Sequence, residues 1–214
     1  MPRADDADLV LYTAPRTRGF SALWLLEELV RPYRLEAFDL ESGRHKTEDF
    51  LALNPMGKVP VVLDDGVPLS EIGAIAIQLA DKYREVPLAP EVTSDRRPEY
   101  LRWVFFASAI MEPAFAEKMF GWEVPARSVA WGGFANMKST LEDAVAEGEY
   151  LLDAMSAADV TVGSMARFGV QFGVFEKEGP IAAYVARLME RPAFRRALEI
   201  EEELVKTLLP EAQG

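Results

Sequence analysis

The run Asn54-Pro55-Met56-Gly57-Lys58-Val59-Pro60, continuing into Val61-Val62-Leu63-Asp64-Asp65-Gly66 and Leu69-Ser70-Glu71, holds the residues best placed for chemistry. It predicts a loop, a strand opened by proline, a tight hairpin and an acidic helix start, parts suited to gripping a small peptide by its backbone. Pro60 has no N–H to give a central ladder and so opens the strand, and the Val59-Pro60 bond is a candidate for the cis form. A cis bond there turns the Val59 N–H and C=O outward, where an extended ligand can pair with them as a strand pairs with a sheet edge. Glu71 begins a helix, where its carboxylate can meet an ammonium group while the backbone N–H groups behind it receive a carboxylate. Its simpler reading is an acid placed for the helix dipole alone.

The elements that must position these groups follow from periodicity. Leu9 to Tyr12 predicts a strand ended by Thr13-Ala14-Pro15, and Thr17 to Val30 a helix with a broad apolar stripe. Tyr33 to Leu40 reads as a second strand and Glu48 to Leu53 as a short helical turn. Val59 to Leu63 and Val67 to Leu69 read as a hairpin about Asp65-Gly66. Glu71 to Tyr83 is a helix, with Ile72, Ile75, Ala76, Leu79 and Tyr83 at helical spacing. A βαβ unit followed by ββα predicts a mixed four-stranded sheet with helices on its faces.

Prolines 87, 90 and 98 with Thr93-Ser94-Asp95 mark residues 87–98 as a linker between a first domain, 1–86, and an all-helical one, 99–214. In the latter, Glu99 to Phe120 predicts one long helix with a kink at Pro113, and Phe134 to Met155 an amphipathic one. Ser156 to Asp159 caps a third, and Ile181 to Glu190 and Pro192 to Leu209 are the last two.

Composition narrows the function classes. The chain has 214 residues, 50% of them hydrophobic, enough for a sizeable core, and a formal charge of −12, which argues against a nucleic-acid partner. Without cysteine there is no disulfide, thiolate metal site or cysteine nucleophile, and the single His45 makes a structural zinc site a poor fit. Any sulfur chemistry must come from the ligand. No apolar run approaches the ~20 residues that span a bilayer, and Pro2-Arg3-Ala4-Asp5-Asp6 leads into no signal-type segment, so a cytoplasmic protein without a metal is expected.

Several separated segments together resemble the cytosolic glutathione S-transferase family in its bacterial form, along nearly the whole chain. They are Leu11-Tyr12-Thr13-Ala14-Pro15-Arg16-Thr17-Arg18 with Leu23 to Leu29, the 54–60 run, Leu69-Ser70-Glu71 with Ala74-Ile75, and the Ser156 to Asp159 box ahead of Val160. The resemblance implies an N-terminal thioredoxin-like domain, a C-terminal helical bundle, a homodimer, and glutathione as co-substrate bound mainly to the first half.

It also implies that a residue near Thr17 holds the glutathione sulfur as a thiolate. Thr17 leads, with Tyr12, Arg18 or Arg16 as alternatives, and Thr17 reads equally as a helix cap. A free thiol titrates near ~8.5, and each unit of lowering takes ~1.4 kcal/mol. One charge-assisted hydrogen bond of ~1.5 to 3 kcal/mol and a helix N-terminus of ~0.3 to 1 kcal/mol suffice to approach neutrality.

The family's γ-glutamyl site falls on Glu71, with Ile72 where many members carry Ser, and its backbone clamp falls on Val59 and Pro60. His45 and Lys46, with Lys58, resemble a basic group that meets the glycyl carboxylate. Ala14, and Ser108, Glu112 and Phe115 at spacings of four and three on one helix face, are the candidates for an acceptor-substrate pocket. The implied activity is attack of the glutathione thiolate on an apolar electrophile, an alkyl or aryl transfer of the detoxification kind, with no nucleic acid or membrane partner. The alternative is a non-catalytic dimeric interaction module with weakened or lost glutathione binding. Ile72 and the lack of Ser or Cys at the thiol position favour it; Val59-Pro60 and Glu71 oppose it.

Overall fold

The structure is a computed structural model that describes residues 8–209. The Pro2 to Asp6 segment read above lies outside the described residues. Strands β1 (Leu9–Thr13), β2 (Arg34–Ala37), β3 (Val61–Asp64) and β4 (Val67–Ser70) form one mixed sheet in the order β2-β1-β3-β4. β1 is parallel to β2 and antiparallel to β3, and β3 turns back into β4. That turn puts Asp65 at φ 51° and Gly66 at φ 79°, two left-handed residues, which is the reason for Asp-Gly at the hairpin tip. Pro68 lies on the edge strand, where a missing N–H is tolerated.

Helix α1 (Gly19–Leu29) is buried almost all round, including Leu23, Trp24, Leu25 and Leu26, because the sheet covers one side and another helix the other. The second cover is α9 (Pro192–Leu208). Its Phe194 ring stands edge-on to Trp24 at 5.0 Å and to Phe20 at 5.3 Å, and Arg196 Nε donates to Glu27 Oε2 at 2.7 Å. On the opposite sheet face, α2 (Glu48–Leu53) and single 3₁₀ turns at Leu40–Ser42 and Arg44–Lys46 close a small core of Phe38, Phe50 and Val61, joined by Tyr12, Leu53 and Val59. Helix α3 (Ile72–Lys82) follows β4.

The described chain divides into two compact units, residues 8–78 with 192–209, and residues 79–191. The division differs from the expected boundary at 87–98 both in falling at 78/79, within α3, and in the place of α9, which groups with the strands. Its amphipathic stripe is visible in the sequence; the face it meets, on α1, is not.

The other unit holds α4 (Arg97–Phe105), α5 (Glu112–Phe120), α6 (Phe134–Ala146), α7 (Ala157–Gln171) and α8 (Pro180–Met189). Between α4 and α5 the chain makes a π-helical turn, Phe106–Met111, where one kinked helix was expected. Pro113 has no N–H for the turn before it, and a wider turn absorbs the missing bond. Helix α6 ends well before Met155. Arg97 fixes the start of α4 with paired bonds to Asp81 at 2.7 and 2.6 Å. Among the described residues no helix is long and apolar enough to cross a membrane.

Candidate functional site

Strand register brings the candidate residues of the first unit to one end of its sheet. Thr13 pairs with Ala37, Tyr12 with Val61, and Val61 with Ser70. The chain leaving β1, the chain leaving β2, the chain entering β3 and the chain leaving β4 therefore all lie at that end. Neighbouring strands are ~4.8 Å apart, so four span ~14 Å, room for an extended tripeptide of ~10 Å.

The Val59-Pro60 bond is cis. Among the described residues no hydrogen bond engages the Val59 peptide groups. The loop ahead of it is built by Asn54, a residue the sequence places in a loop without giving it a task. Only 3% exposed, Asn54 donates from Nδ2 to the Lys58 carbonyl at 2.9 Å and accepts the Met56 N–H at 3.1 Å. An Asx turn ahead of Pro-x-Gly is the signal that could have found it. Gly57, at φ 59°, must be glycine, because a Cβ would lie 2.7 Å from the His45 carbonyl and 2.8 Å from Lys46 Nζ. Lys46 Nζ donates to the Met56 and Gly57 carbonyls at 3.3 and 3.2 Å, tying the 44–46 turn to this loop. His45 Nδ1 is buried without a hydrogen-bond partner among the described residues, and Lys58 is exposed.

Glu71, exposed at the end of β4, has φ 68°. For a residue with a side chain this left-handed conformation costs roughly 1–2 kcal/mol, and such strain collects at binding sites. Ile72 opens α3 half-buried and offers the ligand no hydroxyl.

In the turn between β1 and α1, the Thr17 hydroxyl donates to the Ala14 carbonyl at 2.6 Å and accepts the Gly19 N–H at 3.0 Å. Its one proton is committed to main chain, and it caps α1 from the position before Arg18, whose side chain makes no capping bond. A Cβ at Gly19 would overlap the Thr13 hydroxyl, so glycine lets α1 start hard against the strand. Arg16 has φ 59°, and its N–H donates to Glu201 Oε1 on α9 at 2.6 Å. Ala14 is buried. Tyr12 projects to the other sheet face from Thr13, where its ring meets Phe50 edge-on at 6.0 Å.

The three helical candidates lie in the other unit and do not share a face. Ser108, in the π turn, and Glu112, at the start of α5, are exposed, whereas Phe115 is 2% exposed and packs between Phe168 and Phe175 at 6.4 and 5.1 Å. The spacing argument assumed an unbroken α-helix; the wider turn resets the register and turns Phe115 into the core.

Residues 7–81 match the glutathione S-transferase N-terminal domain. Over that stretch the chain is similar to the N-terminal domain of the glutathione S-transferase family. It is the thioredoxin-like part, holding all four strands, α1, α2 and nearly all of α3. Glutathione S-transferase 3 of Schizosaccharomyces pombe is 33% identical over 105 residues, 49% of this chain and 43% of that protein. Protein URE2 of Eremothecium gossypii is 31% identical over 107 residues, 47% of this chain and 30% of that protein. The chain thus spans less than half the length of these curated relatives. A sphingomonad glutathione S-transferase, solved complexed with glutathione, superposes with a TM-score of 0.75 at 27% identity, over 90% of this chain and 98% of that one.

Proposed function

We propose that this protein is a glutathione transferase, which binds glutathione at the end of the sheet and presents its thiolate to an apolar electrophile for alkyl or aryl transfer. The observation that carries the reading is the convergence of four chain segments on that end, with the unbonded Val59 peptide beside the strained Glu71. In this reading the cysteinyl unit pairs with Val59, and the γ-glutamyl ammonium meets Glu71 while its carboxylate takes the α3 N-terminus. The glycyl carboxylate lies towards His45 and Lys46. The sulfur lies at the 14–19 turn, where the α1 N-terminus contributes ~0.3–1 kcal/mol towards the anion. Thr17 adds its hydroxyl bond only by rotating away from the Ala14 carbonyl. The protein would act by positioning and electrostatics, with no covalent intermediate on the chain. A homodimer in the cytoplasm belongs to the same reading.

The committed Thr17 proton and the apolar Ile72 favour a second reading, a non-catalytic module of the same fold, which the likeness to URE2, named a transcriptional regulator in Saccharomyces cerevisiae, leaves open. A thermal shift with glutathione separates the two. At about 100 times Kd a ligand adds ~2.7 kcal/mol, which raises Tm by roughly 5–11 °C for a chain of this size. An unchanged Tm in millimolar glutathione rejects the transferase reading.

A further inference from the structure

We propose that Glu201, on the C-terminal helix, is a positioning residue for the thiol turn: it pins Arg16 in its left-handed conformation and so fixes Thr17 and the start of α1 for the glutathione sulfur. The inference rests on the glutathione reading above and adds to it a residue 185 positions from the turn it serves.

Three observations carry it. The bond from the Arg16 N–H to Glu201 Oε1 is short, at 2.6 Å, as charge-assisted bonds are. Arg16 carries a side chain at φ 59°, a conformation that persists only when surrounding contacts over-determine it. Helix α9 is also held rigidly enough to do so. Phe194 packs on Phe20 and Trp24, and Arg196 bonds both the Glu27 carboxylate at 2.7 Å and its carbonyl at 3.0 Å, so Glu201 approaches the turn from a helix fixed along α1. If Arg16 relaxed to an ordinary φ, the 16–17 peptide would rotate, and the Thr17 hydroxyl would leave the Ala14 carbonyl and the Gly19 N–H that now orient it.

The carboxylate has a second effect of opposite sign. It lies ahead of the α1 N-terminus, where anions are favoured and where the thiolate must also be stabilised. The cations on the turn itself are Arg16 and Arg18, and the next charged groups along α1 are the Glu27 and Arg196 pair. The hydrogen bond of Glu201 thus serves the site through geometry while its charge holds the thiol pKa up.

The two effects come apart in Glu201→Gln, whose amide oxygen still accepts the N–H, and Glu201→Ala, which keeps neither. In the full chain without ligand, amide hydrogen exchange at Arg16 should be slow in the wild type and in Glu201→Gln, and faster by about tenfold or more in Glu201→Ala, the loss of one charge-assisted bond. Glutathione affinity should fall about tenfold in Glu201→Ala and be rescued in Glu201→Gln. The bound thiol, followed by its ultraviolet thiolate absorbance, should titrate lower in Glu201→Gln than in the wild type. Equal Arg16 exchange in all three proteins overturns the proposal, as does faster exchange in Glu201→Ala with affinity and thiol titration unmoved, which would make the contact structural only. Wild-type protein that binds no glutathione defeats the underlying reading and the proposal with it.

Discussion

Two kinds of helix start in this molecule are built on opposite plans. At α7, Asp159 is fully buried and accepts four bonds, from the Leu151 N–H at 2.9 Å, the Ser156 N–H at 3.0 Å, the Ser156 hydroxyl at 2.9 Å and the Tyr184 hydroxyl at 2.9 Å. Every one of these partners is internal, so this start is closed and serves stability. At α3 the residue before the helix, Glu71, is exposed and held at φ 68°. At α1 the Arg18 side chain makes no cap, and the preceding turn depends on Thr17 and on Glu201 from far along the chain. A start whose polar groups are satisfied from within has nothing left for a ligand. A start left open and strained, as at α3, keeps its charge and its N–H groups available, at a cost to the fold.

The largest expected effect breaks the closed start. Asp159→Ala leaves four donors without their acceptor, and at ~1–3 kcal/mol for each buried group left unsatisfied the loss should be about 4 kcal/mol or more. Tm should then fall by roughly 8–16 °C or more. Glutathione affinity of the protein that remains folded should be unchanged, as calorimetry at matched folded fraction would report; a parallel loss of affinity would erase the distinction between the two kinds of start.

The same carboxyl group gives a pH test. Burial raises its pKa, against the lowering effect of bonds from Leu151, Ser156 and Tyr184. The folded protein therefore holds this proton more tightly than the unfolded chain, and the associated stability is fully present below the ordinary value of 3.8 and lost as pH rises through the higher folded value. Urea unfolding of wild type and Asp159→Asn across the acid range should show the difference, wild type minus variant, falling with pH and then flattening. A difference that grows with pH would mean that the hydrogen bonds outweigh burial.

Next in size is Asn54→Ala, which removes both side-chain bonds that hold the loop before Val59. Two such bonds are worth about 2 kcal/mol in net stability. Glutathione Kd should rise at the same time, because the loop sets the direction of the Val59 peptide. Stability lost with affinity intact would separate the loop from the site.

Much of this was legible in the sequence because short-range physics decides it. The apolar run Leu9 to Tyr12, the Asp65-Gly66 turn, the 48–53 helix and the Ser156 to Asp159 cap each follow from residues within one turn or one strand. What escaped depends on partners far along the chain. The contact of α9 with α1 needs Phe194 beside Trp24, and the Arg16 to Glu201 bond joins opposite ends of the chain; no periodicity announces either. Phe115 was misread for a local reason, since a π turn cannot be told from an α turn by residue spacing, and one extra residue rotates everything after it. At the site, the sequence marked Val59, Pro60 and Glu71 as groups for gripping a peptide, but the commitment of the Thr17 proton to Ala14 is a rotamer fact that only the structure carries.

The smallest expected effect sharpens the comparison most, because its two readouts should move in opposite directions. Glycine adopts φ near 68° freely, so Glu71→Gly should remove the left-handed penalty and raise stability by about 1 kcal/mol, a Tm gain of roughly 2–4 °C. The same change deletes the carboxylate assigned to the γ-glutamyl ammonium, and glutathione Kd should rise about tenfold, the equivalent of ~1.4 kcal/mol. Glu71→Ala is the control: it loses the carboxylate but keeps the strain, so its affinity should fall equally while its Tm does not rise. A residue that weakens the fold and strengthens binding is what an open helix start requires, whereas a Glu71→Gly protein that is more stable and binds glutathione as before would reduce Glu71 to an accident of the turn.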